Sequence, residues 1–248
     1  MNSLLKIVLL ASALPLAPPL MARPCEAEAK VTQAALCDFK GNSATVLAIE
    51  DFGKPMSLVF LNSDRKIVYS TTFTGGFNSH EFAYTNPFLR FRSYKLRGLP
   101  SPIVVAVGVY PGGSDVGYEV KLIAEKSGKI TSLLAKPIDL TIQDGFYLGG
   151  INVKSGSGLI VWKNVWENEA HYGPHRYEIR VYTWDSHAMN FRLVRNFKTS
   201  VKYKDGCAAL SSYQLPCKNY RDDVVPTEQE ISTLGIESEF FTEENKNN

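Results

Sequence analysis

The sequence lacks the short motifs that mark common enzyme classes. It contains no Gly-x-Ser-x-Gly, no Walker loop and no His-Glu-x-x-His. Its 27 basic and 25 acidic residues leave a net charge of only +2, so bulk charge does not predict nucleic-acid binding. With 44% hydrophobic and 21% charged residues among 248, disorder, collagen and coiled coil are excluded as the main architecture. An aromatic content of 11% favours strands over helices.

Long apolar runs are also scarce, and the one at the N-terminus is typical of an export signal. It extends from Ile7 to Met21, follows a lysine and is interrupted by three prolines. A membrane-spanning helix needs roughly 20 uninterrupted apolar residues, so the pattern favours a secretory signal peptide over residues 1–22. No later segment is apolar enough to be a transmembrane segment. The sequence therefore predicts a periplasmic or secreted protein.

Cysteine is rare, with four residues in the chain, but all four follow the predicted signal. An even number in an exported chain favours disulfides. We predict the pairs Cys25–Cys37 and Cys207–Cys217, because each closes a short loop. Cysteine-ligated zinc is disfavoured because no Cys-x2-Cys spacing occurs.

What the sequence does contain is a repeat of about 60 residues. Tyr118–Leu122 aligns with Tyr177–Val181, and each segment begins a predicted hairpin that follows a strongly apolar strand. Three such units are predicted, over residues 43–100, 101–155 and 156–205. Each would add a fourth antiparallel strand, and the three candidates for it are Phe88 to Leu96, Gly145 to Val153 and Ser200 to Lys204.

The repeats resemble the FG-GAP or VCBS type of β-propeller repeat, which occurs in integrin α-subunit heads and in bacterial secreted proteins. Asp38–Asn42 is similar to the opening of that family's repeat, and the Tyr-Glu hairpins are similar to its outer strands. The resemblance covers residues 38–205 and implies an all-β fold of propeller-like blades. Three blades are fewer than the four to eight that close a ring, so an incomplete propeller or a β-sandwich is expected.

The resemblance would also imply calcium, but the residues do not supply the ligands. The family's aspartate-rich loop should follow Gly41, where Ser43–Thr45 stand instead. We therefore predict no cofactor, since neither a calcium nor a zinc motif is present.

The chain end differs from the rest. Residues 221–248 contain eight acidic and two basic residues, a net charge of −6, which leaves +7 on residues 23–220. The cap-like Thr227 before an apolar pair predicts a short helix, followed by a disordered end.

The most chemically suggestive stretch is the polar segment between two predicted strands of the third unit. Its two histidines and two glutamates could hold zinc, but a Gly-Pro step prevents the helix that would place them on one face. An exposed tryptophan there could stack on a sugar ring, whereas Trp162 is predicted to pack in the core. The predicted ligand-binding residues are Trp166, Glu167, Glu169, His171, Tyr172 and His175.

The leading hypothesis is a non-enzymatic binding or interaction module that recognises a glycan or a protein. One alternative is a secreted hydrolase that uses Glu167 and Glu169 with His171, and another is a structural envelope protein. An enzyme should bring these groups together in a pocket and perturb one pKa, whereas a binding module should leave the carboxylates solvated.

Overall fold

The computed structural model describes residues 32–39, 42–49, 55–74, 87–111, 116–152, 156–167 and 173–225. Within them the chain forms three antiparallel sheets and two short helices. The first sheet has the order β1 (Thr32–Phe39), β2 (Asn42–Ile49), β3 (Met56–Leu61), β4 (Ile67–Phe73). The second has the order β5 (Phe88–Tyr94), β6 (Ile103–Pro111), β7 (Val116–Lys126), β8 (Lys129–Ser132), with β9 (Ile138–Leu140) also paired to β7. The third has the order β10 (Gly145–Asn152), β11 (Gly156–Val165), β12 (Arg176–Asp185), β13 (Asn190–Lys198). The helices α1 (Gly206–Ser212) and α2 (Tyr220–Val224) follow.

The prediction of an all-β protein is confirmed. Each sheet, however, begins one strand earlier in the chain than the corresponding predicted unit. The predicted fourth strand of the first unit, Phe88 to Leu96, pairs as β5 with β6 of the second sheet. The predicted fourth strand of the second unit likewise pairs as β10 with β11. The first sheet is completed instead by β1, which precedes the predicted unit. Each of these strands pairs with the apolar strand that follows it, because only a short connection separates the two.

The predicted strand from Ser200 to Lys204 is wrong. That segment forms only an isolated bridge between Tyr203 and His175, after which the chain turns into α1. Asp205 ends the extended stretch because its carboxylate accepts a hydrogen bond from the Ala208 amide and caps the helix. In addition, α2 crosses the predicted boundary between residues 220 and 221.

The sheets stack face to face, and the middle one is buried on both sides. One face of β7 shares a cluster with the first sheet through Ile123, and the other shares a cluster with the third sheet through Val120 and Leu122. This explains the apolar run of β6, since a strand covered on both faces has no solvent side to alternate with. The outer face of the third sheet is covered by α1 through Ala209 and Leu210.

The hairpin predicted to begin at Tyr118–Leu122 is confirmed as β7 and β8. Lys126 pairs with Lys129, and the two residues between them, Ser127 and Gly128, have φ of 51° and 77°. Two successive positive φ values define the type I′ turn, whose twist matches that of the flanking strands. None of the described helices is long and apolar enough to cross a membrane.

A buried ion pair fastens the second sheet to the first. The Glu119 carboxylate on β7 is 3.1 Å from the Lys121 ammonium and accepts a 2.8 Å hydrogen bond from the Thr74 amide. The ammonium also donates to the Thr71 hydroxyl at 3.0 Å and lies 4.5 Å from the centre of the Phe73 ring. Because Glu119 is buried and the Lys121 side chain is only 14% exposed, each charge is compensated mainly by its partner and by groups at the end of β4 rather than by water.

Breaking this pair from one side should destabilise the fold. We expect Lys121→Met to lower the free energy of unfolding by about 3 kcal/mol, because the Glu119 charge would stay buried without its counter-charge. The double variant Glu119→Gln/Lys121→Met should recover part of that loss. Urea unfolding checks both, with the exposed Lys129→Met as a control, and equal losses in the Lys121 and Lys129 variants would contradict the interpretation.

Candidate functional site

A cavity of about 420 Å³ opens on the outer face of the third sheet, beside α1. It is formed by the β9–β10 loop, one residue each of β11 and β12, the start of α1 and the residue that precedes α2. The lining residues are Ile142, Gln143, Asp144, Trp162, Gly173, Tyr177, Lys204, Asp205, Gly206, Cys207 and Asn219. Its volume falls within the range of small-molecule sites.

Trp162 forms the inner wall of the cavity, and two glycines make room for it. A Cβ atom on Gly145 would lie 2.3 Å from Cζ2 of the indole, and one on Gly206 would lie 2.2 Å from its Nε1. Both distances are far below a van der Waals contact, and the obstacle is a buried ring. Glycine is therefore required at both positions for the backbone to approach the tryptophan.

Asp144 contributes a buried carboxylate with a fixed orientation. Its Oδ1 accepts a 2.6 Å hydrogen bond from the backbone amide of Asn164, and its Oδ2 accepts a 2.8 Å hydrogen bond from the backbone amide of Thr141. Burial raises the pKa of this carboxyl even though both hydrogen bonds act in the opposite direction. The two hydrogen bonds hold the loop in a tight turn, and Asp144 lines the cavity.

The carbonyls of the same loop are held by Arg221 of α2. Its Nη1 lies 3.0 Å from the Thr141 carbonyl oxygen and 2.9 Å from those of Ile142 and Asp144. The guanidinium also stacks on the ring of Tyr118 in β7, 4.6 Å from its centre. One side chain thus ties the cavity loop of the third sheet to the second sheet.

The opposite wall is carried by α1 and its disulfide. The Asp205 carboxylate accepts a 2.7 Å hydrogen bond from the Ala208 amide through Oδ1, and its Oδ2 lies 3.8 Å from the Lys204 ammonium. The predicted Cys207–Cys217 disulfide is confirmed and anchors the first turn of the helix. Cys37 is disulfide-bonded too, while its predicted partner Cys25 lies outside the described residues.

Two of the three charged residues that line the cavity are acidic. Burial, together with the charges of Asp205 and Asp144, raises the pKa of the Tyr177 phenol to about 12. Both carboxylates are therefore close enough to act on one hydroxyl. Lys204, the basic lining residue, has a side chain 83% exposed and lies at the rim.

Of the predicted binding residues, Trp166, Glu167 and His175 are described, and none of the three lines this cavity. Trp166 is 42% exposed, and its ring is 5.2 Å from the ring of His175, which is itself buried. Glu167 pairs with Arg176 at 3.5 Å. Glu169, His171 and Tyr172 lie outside the described residues. The cavity is adjacent because Gly173 lines it, two residues before His175.

The sequence interpretation missed Asp144, Tyr177 and Asp205 as site residues. Asp205 before Gly206 was detectable as a helix cap, and Asp144 before Gly145 as a turn. No sequence feature marked Tyr177 as a site residue, since its position in an alternating strand predicts only that it packs in the core. Within the described ranges, no three His, Cys, Asp or Glu side chains gather as metal ligands.

Comparison with protein-family models, with curated proteins and with solved structures finds no match for this chain.

The raised pKa of Asp144 predicts how stability varies with pH. A carboxyl whose pKa is higher in the folded than in the unfolded state binds its proton more tightly when folded. The wild type should therefore lose stability relative to Asp144→Asn as the pH rises from about 4, the unfolded value, through the raised folded value. Urea unfolding from acid to neutral pH measures the difference, and a pH-independent offset between the two proteins would contradict the assignment.

Arg221→Lys should loosen the cavity loop. A lysine side chain ends short of the Nη1 position and has no planar guanidinium to stack on Tyr118, so we expect a loss of about 2 kcal/mol in the free energy of unfolding. Chemical denaturation tests this against Arg192→Lys, an exposed change on β13 that should stay within about 0.5 kcal/mol of wild type. Similar small effects at both sites would show that the carbonyl contacts contribute little.

Proposed function

We propose that the chain is an exported, non-enzymatic binding module that holds a small ligand in the cavity beside α1. The observation that carries the proposal is the combination of aromatic, amide and carboxylate groups around one preformed space. Small-molecule sites are typically concave, largely formed in advance and equipped with a few fixed polar groups. Hydrogen bonds within the protein already fix Asp144 and Asp205, so a ligand would meet an ordered surface.

The chemistry of the lining favours binding over catalysis. Cys207 is in a disulfide, and each oxygen of Asp144 is already hydrogen-bonded to a backbone amide. A nucleophile needs an adjacent base, and an acid–base pair needs two groups with access to the same ligand atom. For the hydrolase alternative, Glu167 is engaged by Arg176 rather than by another acid.

Export is supported by the Cys207–Cys217 disulfide, because such bonds persist in oxidising compartments. The signal-like residues 1–22 agree with this, and we propose a periplasmic or extracellular location.

We further propose that the three sheets are blade-like repeats of the FG-GAP or VCBS type. Each sheet is a meander with its strands in chain order, and consecutive sheets stack face to face. Both features are typical of propeller blades, which bury their faces only against neighbours.

A thermal-shift screen tests the binding proposal. The panel contains neutral sugars, organic amines, carboxylates and divalent metal salts. A ligand at about 100 times its Kd should raise the Tm by about 5 °C or more, because it binds only the folded state.

Ile142→Trp should abolish that shift by placing a large side chain at the cavity rim. Ile67→Trp makes the same change on β4 of the first sheet, and this control should keep the shift. A panel in which no compound raises the Tm would contradict the proposed function.

A further inference from the structure

We propose that the ligand of the cavity is a small organic cation, such as a primary or quaternary amine. This inference rests on the proposed function, since it names the chemical class that the same cavity would select. Three features of the cavity support it: the charges of the lining, their hydrogen bonds and the aromatic wall.

The charged side chains of the lining differ in how exposed they are to solvent. Asp144 is 5% exposed, so its charge acts in a region of low effective dielectric. Asp205, whose side chain is 50% exposed, lies across the cavity from it. The Lys204 ammonium lies 3.8 Å from Asp205 Oδ2, but its side chain is 83% exposed, so water and salt weaken this ion pair. With two aspartates and one lysine, the lining keeps a net negative charge.

The carboxylates keep hydrogen-bonding capacity for a ligand. Each carboxylate has about four acceptor positions. Asp144 uses one position on each oxygen for the backbone amides of Asn164 and Thr141. Asp205 uses Oδ1 for the Ala208 amide, and its Oδ2 faces the exposed Lys204 ammonium at 3.8 Å. The remaining positions can accept from an ammonium but would repel a carboxylate or a phosphate. Bonds between a carboxylate and a charged donor are also the stronger kind.

The aromatic wall favours the same sign of charge. Trp162 and Tyr177 line the cavity, where they are 3% and 1% exposed, and aromatic rings attract a nearby cation. A neutral sugar would use the ring surface as well but would gain nothing from the two negative charges. The electrostatics therefore separate an amine from a hydroxyl compound of the same shape.

Matched ligand pairs test the proposal on the full chain by isothermal titration calorimetry. The pairs are ethanolamine with ethylene glycol, choline with its neutral carbon isostere dimethylbutanol, and glucosamine with glucose. We expect at least one cation to bind at least about tenfold more tightly than its neutral partner, with an affinity that falls as salt is added.

Two variants that each remove one acidic charge locate the effect. Asp205→Asn keeps the helix cap, because asparagine caps as well as aspartate, and should weaken cation binding by about fivefold. Asp185→Asn is the control, since Asp185 also accepts hydrogen bonds from backbone amides, but in the β12–β13 turn. It should leave the affinity unchanged.

The outcomes separate this inference from the proposed function. Tighter binding of a cation together with its selective loss in Asp205→Asn supports both. Equal binding of charged and neutral partners, or binding of calcium or zinc ions in preference to the amines, overturns the organic cation and leaves the binding module intact. No binding by any compound of this panel or of the thermal-shift panel overturns both.

Discussion

The contact of Arg221 with the β9–β10 loop is the constraint on which the cavity depends. The loop residues 141–144 leave the second sheet and enter the third, so their backbone must bend sharply near the core. Three carbonyls directed to one side would be costly to bury without donors. The guanidinium provides those donors, and its stacking on Tyr118 ties them to the second sheet. Asp144 can then turn its carboxylate toward the opposite side, where the cavity lies.

A cavity forms at this face because a helix covers the third sheet less completely than a sheet would. Helix α1 has seven residues and is about 10 Å long, whereas a ten-residue strand such as β11 extends for about 33 Å. The middle sheet, by contrast, shares a buried cluster with another sheet on each of its faces. Gly206 brings the helix onto Trp162, the one residue of β11 that lines the cavity.

The sequence predicted the elements better than it predicted their grouping. The strongly apolar strand β6 and the hairpin that begins at Tyr118–Leu122 are local patterns, and both appear where expected. A repeat period alone does not define where a unit begins, so it did not show that β5 and β10 each open a sheet rather than complete one. The cavity was missed for a related reason. Tyr177 and Asp205 are 28 residues apart and meet only because the chain after β13 returns to His175 through Tyr203.

Two edge strands of the stack, β4 and β13, have features that limit pairing with a further strand. On β4, Val68 is an extra residue between the pairs formed by Ile67 and Tyr69, and it is 47% exposed. On β13, Val194 is the equivalent extra residue and is 48% exposed. Such bulges interrupt an edge, and Arg192 and Arg195 beside Val194 add charge to it. A stack in which these two edges resist added strands should recognise ligands through side chains, and a set of polar groups held in place by the fold surrounds Trp162.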